Sequence, residues 1–430
     1  MSQFIRSQSL IQKGLAVAVT AVMMSSVHAA TEKEEIQSLR QEVAELKALL
    51  TQQAQVQQQQ QVQLAEVKAQ PATASAPLSL KSKAGASVNL YGFVRADAEY
   101  SAKGADGIFN APNKVDLNGV AVGEKDPKTI NPNKDRFYAT AKTTRLGLDF
   151  VAPVQGADVG GKIEVDFAGT NEALRIRHAY LTYNQWLFGQ TTSSFLSGET
   201  TAEMLDFGSP LGIGTKRIPM VRYADKWGAD TFYFVGLEKG ADANRLPTLT
   251  GKVSTKIADG KGLVTARALL QEDRGRIARN GQEYKDETEL SWGVAAGLNF
   301  KPIEQLTLNA DYSHVSGDNN SLIGFVDNSV VTNTNTNDID LVDFDAVTVG
   351  ATYKFNPKVR STLGYGAIFY DDKYLVTGKN ETLQQGWLNV MYNPIKPITF
   401  GAEYIYGERE TVGGQVGRDS SVGLMAKYDF

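Results

Sequence analysis

The sequence predicts an all-β transmembrane barrel of about 16 antiparallel strands, preceded by an N-terminal α-helical coiled-coil segment. Three observations carry this expectation. Extended segments alternate between apolar and polar residues over about ten to fourteen positions, where strands of soluble domains run about five or six. Aromatic residues recur just before short proline turns, and long polar stretches sit only at the opposite ends of the segments.

Residues 1–29 read as a secretory signal peptide. Arg6 and Lys13 precede the apolar run Leu15 to Met24, and Val27-His28-Ala29 supplies the small residues of a cleavage site. The run is too short to cross a bilayer, which takes roughly 20 residues. Residues 30–69 read as a periplasmic coiled coil. Ile36, Val43, Leu50 and Leu64 share one heptad position and Leu39, Leu46 and Val67 the other, while Gln53, Gln57 and Gln60 interrupt the seam. A solvated or disordered Gln-rich tract is the competing reading of the same stretch. Residues 70–87, rich in Pro, Ala and Ser, read as a linker.

From residue 88 to 430 the strand pattern takes over. "VNLYGFVRADAEY" sets Val88, Leu90, Val94, Ala96 and Ala98 against Asn89, Tyr91, Phe93, Arg95, Asp97 and Glu99. "GGKIEVDFAG", "ELSWGVAAGLNF" and "TFGAEYIYG" alternate in the same way. "LDFVAPVQG", "LNFKPIEQ", "YKFNPKVR" and "MYNPIKPITF" place Phe150, Phe300, Phe355 and Tyr392 at one level beside short turns, as in an aromatic girdle. The polar stretches 101–136, 273–286, 317–341 and 407–419 read as long external loops. The terminal "GLMAKYDF" alternates up to Phe430, as expected of a last strand that pairs with the first, because unpaired backbone in hydrocarbon costs several kcal/mol.

The Gln-rich coil after the signal, "VNLYGFVRADAEY", "RIRHAYLTYNQWLFGQTTSSF", "KRIPMVRYADKW" and the terminal Phe430, in that order, resemble the DcaP-like trimeric outer-membrane porins of Gram-negative bacteria. The resemblance implies a homotrimer in outer-membrane lipid, an N-terminal segment in the periplasm, and uptake of small anionic solutes such as dicarboxylates.

A barrel of about sixteen strands encloses water, so its chemistry is set by the inward side chains. Alternation places Arg95, Arg145, Lys162, Arg175, Arg177, Arg222, Arg267 and Arg360 on the lumen faces of their strands. A guanidinium stays charged and grips a carboxylate through two parallel hydrogen bonds. Taken singly, each cation is explained by the need to face water and to pair with acids such as Asp97, Asp149, Glu164 and Asp166. Taken together, the first-half cluster points to anion selectivity. In porins the third external loop folds into the barrel, and residues 191–217 match that place, mixing Phe195, Leu196, Met204, Leu205, Phe207, Leu211 and Ile213 with Glu199, Glu203 and Asp206. These acids are expected across from the arginine ladder; an ordinary external loop is the rival reading.

Other functions are less well supported. The chain has no Cys, and only His178 and His314 lie beyond the signal, both placed by parity with the outward residues or near a rim. That composition gives no Ser-His-Asp set and no transition-metal cluster, so neither an enzyme nor a cofactor is expected. Asp371 and Asp372 read as solvated loop charges, and a formal charge of -4 gives no reason to expect nucleic acid. The alternative function is an envelope-tethering structural protein, with residues 32–68 bound to peptidoglycan or a periplasmic protein and a non-selective pore.

Overall fold

A computed structural model describes residues 79–81, 85–117, 130, 133–154, 156–279, 283–327, 329–333 and 338–430. The expected signal peptide 1–29 and coiled coil 30–69 lie outside the described residues. The strands are β1 (Ser79–Lys81), β2 (Ser87–Lys103), β3 (Lys134–Thr140), β4 (Arg145–Val154), β5 (Ala157–Asp166), β6 (Arg175–Tyr183), β7 (Trp186–Thr192), β8 (Arg217–Trp227), β9 (Thr231–Glu238) and β10 (Thr248–Ile257). They continue with β11 (Gly262–Arg279), β12 (Glu283–Ile303), β13 (Leu306–Ser316), β14 (Val330–Asn333), β15 (Asp338–Leu341), β16 (Asp343–Asn356), β17 (Val359–Tyr370), β18 (Asn380–Tyr392), β19 (Ile398–Thr411) and β20 (Val416–Asp429).

Neighbours in sequence pair antiparallel around a ring that β20 closes on β2, giving a closed barrel of 16 staves. Two short strands, β3 and β4, face successive parts of β2 and act as one interrupted stave. The hairpin β14–β15 is separate from the wall. At the seam Phe430 and Gly92 exchange both backbone hydrogen bonds, at 3.1 and 3.2 Å. Beyond Gly92 the edge of β2 has no β20 partner, and β1 pairs there instead, Ser79 opposite Asn89. Part of the segment read as linker therefore extends the sheet where an open edge would otherwise remain.

Alternation sorts the wall as read from the sequence. Leu90, Val94, Leu290, Leu363 and Leu424 are each more than half exposed on the outside, whereas Asp166 is 0% exposed on the inside. An outward aliphatic belt of this kind rests against lipid, not water.

Three of the expected external loops differ. Residues 273–279 and 283–286 continue β11 and β12 in register, from Asp273 opposite Glu289 to Arg279 opposite Glu283. The charges that suggested a loop pair across the ladder, as Arg274 does with Asp286, and this supports the extension. Much of 407–419 likewise belongs to β19 and β20. In 317–341, Leu322, Ile323 and Val326 turn into the barrel and are buried.

The hydrophobic core consequently lies inside the barrel. Leu269, Val315, Phe344, Ile368 and Leu383 point inward from β11, β13, β16, β17 and β18, and Phe195, Leu196, Leu211, Leu322 and Ile323 cover them. One half of the wall is dry and carries two inward loops. The arginine cluster faces it from β2 to β6, although buried charges such as Arg267, Asp311 and Glu403 also point inward from β11, β13 and β19.

Candidate pore lining and constriction

The arginine ladder is built on β2, β4, β5 and β6. Arg95 binds Asp97 at 2.6 to 3.1 Å, Arg145 lies 3.3 Å from Glu164, and Arg175 forks onto Asp166 at 2.9 and 2.7 Å. Arg177 bridges Glu164 and Asp166, 2.8 Å from each. A β-bulge creates this bridge. Glu164 pairs with His178 while Val165 pairs with Ile176, so Arg177 is the extra residue of its strand.

The bulge also corrects one expectation. His178 faces the lumen, where its Nδ1 shares a 2.9 Å hydrogen bond with Thr191 Oγ1 and its Nε2 stands 3.8 Å from Glu164. Strict alternation across the bulged strand had put it outside. His314 keeps the outward parity, 2.9 Å from Asp345.

The loop between β7 and β8 runs along the dry half of the inner wall. Its backbone is bound at several points: Arg267 donates to Phe195 O at 3.1 Å, Thr348 to Leu211 O at 2.5 Å, and Trp387 to Glu203 O at 3.0 Å. Glu403 accepts the N–H groups of Leu205 and Asp206, each at 2.7 Å. Gly366 leaves room for the loop, since a Cβ there would lie 2.1 Å from Leu211 O.

The three loop acids do not all stand across from the ladder, where the sequence leads one to expect them. Glu199 is engaged by Lys252, and Glu203 receives Arg360 Nε and Nη2 at 2.7 Å each. Asp206 is buried, accepting from Gly208 N at 2.6 Å and Asn110 N at 3.1 Å. Burial, with the Glu99 charge beside it, pushes the Asp206 carboxyl well above the usual carboxylate range. Only Glu203 and Asp206 border the ladder cavity, and both are already bonded elsewhere. A carboxylate leaving water needs such partners, so the acids hold the loop in place.

The loop instead presents Phe207 to the ladder, with its ring centroid 5.9, 6.0 and 5.8 Å from the guanidinium carbons of Arg95, Arg175 and Arg177. Between ladder and loop lies a cavity of about 690 Å³ that Arg95, Lys142, Arg145, Arg175, Arg177 and Arg217 all border.

The remaining predicted cations scatter. Lys162 sits 3.3 Å from Asp149 and over the Tyr91 ring. Arg222 lies over Phe234, 4.6 Å from its centroid. Arg267 is buried on Asp311 at 2.6 Å and serves as a loop anchor, not as open lining. Arg360 is occupied by Glu203. Sequence reasoning missed Lys142 and Arg217. Lys142 falls in the break between β3 and β4, where alternation carries no information, and Arg217 opens β8 with the parity of the exposed Pro219 and Val221, so alternation points it outward.

The model of the DcaP outer membrane protein family matches residues 16–430. The chain belongs to that family. The crystal structure of the outer membrane channel DcaP of Acinetobacter baumannii is 46% identical, covering 82% of this chain and 99% of its own, with a TM-score of 0.73. More distant barrels share the fold alone. OmpF of Salmonella typhi, solved in complex with daunomycin, is 14% identical over 81% of this chain and 99% of its own, with a TM-score of 0.54. The anion-selective porin from Comamonas acidovorans is 12% identical over 80% and 100%, with a TM-score of 0.52. No curated protein matches. This DcaP-family chain is thus an outer-membrane β-barrel of a channel and porin family.

Proposed function

We propose that this DcaP-family barrel is a water-filled channel for passive diffusion of small solutes, preferentially anions and dicarboxylates among them. The supporting observation is the ladder cavity, where the six cations of Arg95, Lys142, Arg145, Arg175, Arg177 and Arg217 outnumber the acids Asp97, Glu164 and Asp166 that pair with them together with the bordering Glu203 and Asp206. Among the described residues, Lys142 and Arg217 form no ion pair. A water-filled constriction with low-dielectric walls and a surplus of one sign concentrates the opposite ion. Fixed guanidinium groups spaced along one wall offer a carboxylate successive partners, so it need not lose all its hydration at once.

The family resemblance extends the proposal to a homotrimer with residues 30–69 in the periplasm. Deleting residues 32–70 separates the roles of that segment: trimers that persist with unchanged conductance and a weakened envelope support tethering.

Swelling of proteoliposomes tests the solute preference. Succinate is expected to enter faster than a neutral sugar of equal size, and lysine methyl ester more slowly than either. Equal rates for all three reject the selective reading.

A further inference from the structure

A second cavity, about 290 Å³, lies across the inward loop from the ladder. Ser194, Glu199, Arg217, Arg222, Phe234 and Lys252 are among the residues that border it. Arg217, with Gly198, Thr201 and Thr215, borders both cavities. The two spaces therefore abut with one guanidinium common to their walls.

The second cavity holds donors that have no acceptor. Ser194 is 2% exposed and its Oγ has no hydrogen-bond partner, and neither has Nε of Arg217 or of Arg222. Buried polar atoms in native proteins are nearly always satisfied, and those left over bind water or an ion. The acids nearby are already committed: Glu199 to Lys252, and Glu238 Oε1 to Ser194 N at 2.7 Å and Thr250 Oγ1 at 2.8 Å. Glu238 Oε2 is itself without a partner, and it opposes an anion, although Arg217, Arg222 and Lys252 supply more positive charge than Glu199 and Glu238 cancel.

We infer that this cavity is a second anion site, taking one carboxylate or phosphate group on Ser194 Oγ, Arg222 and Arg217, and that Arg217 passes the anion between the ladder and this site. The inference rests on the anion-channel reading above. An oxyanion supplies several acceptors at one point, which a hydroxyl and two guanidinium edges require. Lys252, restrained by Glu199, adds charge without closing the cavity. Two sites sharing one cation cannot both hold an anion on it, so occupation of one site speeds departure from the other, as in multi-site conduction.

Single-channel recording of the full chain in planar bilayers tests this, with succinate or inorganic phosphate as the probe on one side. Wild type is expected to show two classes of residence time for at least one probe, their order identifying which oxyanion the site prefers. Ser194→Ala is expected to shorten one class by about tenfold and leave the other in place. Arg217→Gln is expected to shorten both, with Arg217→Lys restoring part of the effect. A single class in an anion-preferring wild-type channel, or two classes that Ser194→Ala leaves intact, overturns the second site and spares the anion-channel reading. A cation-preferring wild type overturns both. The heat-induced mobility shift on denaturing gels confirms that each variant has folded.

Discussion

Glu203 and Arg360 meet through two parallel N–H···O bonds of 2.7 Å each, although 157 residues separate them. The pair ties the inward loop to β17 across the barrel interior. Charge-assisted bonds of this kind contribute about 1.5–3 kcal/mol when sheltered, less when partly solvated as here. Arg360→Gln is expected to loosen the loop and to add brief current steps to single-channel traces. Traces as quiet as wild type would show that the other anchors hold the loop without this pair.

Replacing Arg145, Arg175 and Arg177 by Gln is expected to lower the anion-to-cation permeability ratio severalfold. Glu164 and Asp166 would then lose the partners that now neutralise them, so the wall changes from net positive toward net negative. The shift of reversal potential in a salt gradient measures this directly. An unchanged potential would place selectivity elsewhere in the passage.

Gly366→Val tests the inward loop by steric means. A Cβ at this position would stand 2.1 Å from Leu211 O, and Gly366 faces the loop from inside the wall. The backbone of the loop must move away, and the expected result is a larger conductance with weaker selectivity. Conductance equal to wild type would contradict the packing described.

Asp318 gives a pH dependence. It lies in the second inward loop, caps the N–H groups of Leu322 and Ile323 at 2.7 and 3.3 Å, and burial pushes its carboxyl up to about 7. A raised acid favours the seated loop while protonated. Its contribution is complete below the ordinary carboxylate range and is lost as pH rises through about 7. Loop-opening events are therefore expected to become more frequent between pH 5 and pH 8, and Asp318→Asn to abolish that trend while keeping the cap. The same slope in wild type and Asp318→Asn would assign it to another group.

Removing Phe430 deletes both backbone bonds to Gly92 and an aromatic ring 6.5 Å from Tyr428. The seam between β2 and β20 would then open by one pair at its turn end. Slower assembly and a lower temperature for the heat-induced gel shift are expected. Assembly at the wild-type rate would mean that β1 alone seals this edge.

Much of the wall was legible because lipid outside and water inside impose opposite chemistries on alternate residues. Sixteen staves, the outward belt and the inward parity of Arg95, Arg145, Lys162, Arg175 and Arg177 all follow from that contrast. It failed wherever the contrast failed. At Leu269-Leu270 and Ile368-Phe369, consecutive apolar residues mark a wall dry on both faces, a sign that loops cover it from inside. At His178 a bulge reset the alternation. Which acid meets which cation was hidden altogether, since Glu203 and Arg360 are joined by the path of a loop and not by any strand register.

Zero-current potential in a potassium chloride gradient across a bilayer containing the wild-type channel tests the central claim most directly. A surplus of fixed cations at the constriction predicts a potential of the sign set by chloride. A potential of the sign set by potassium would contradict the account.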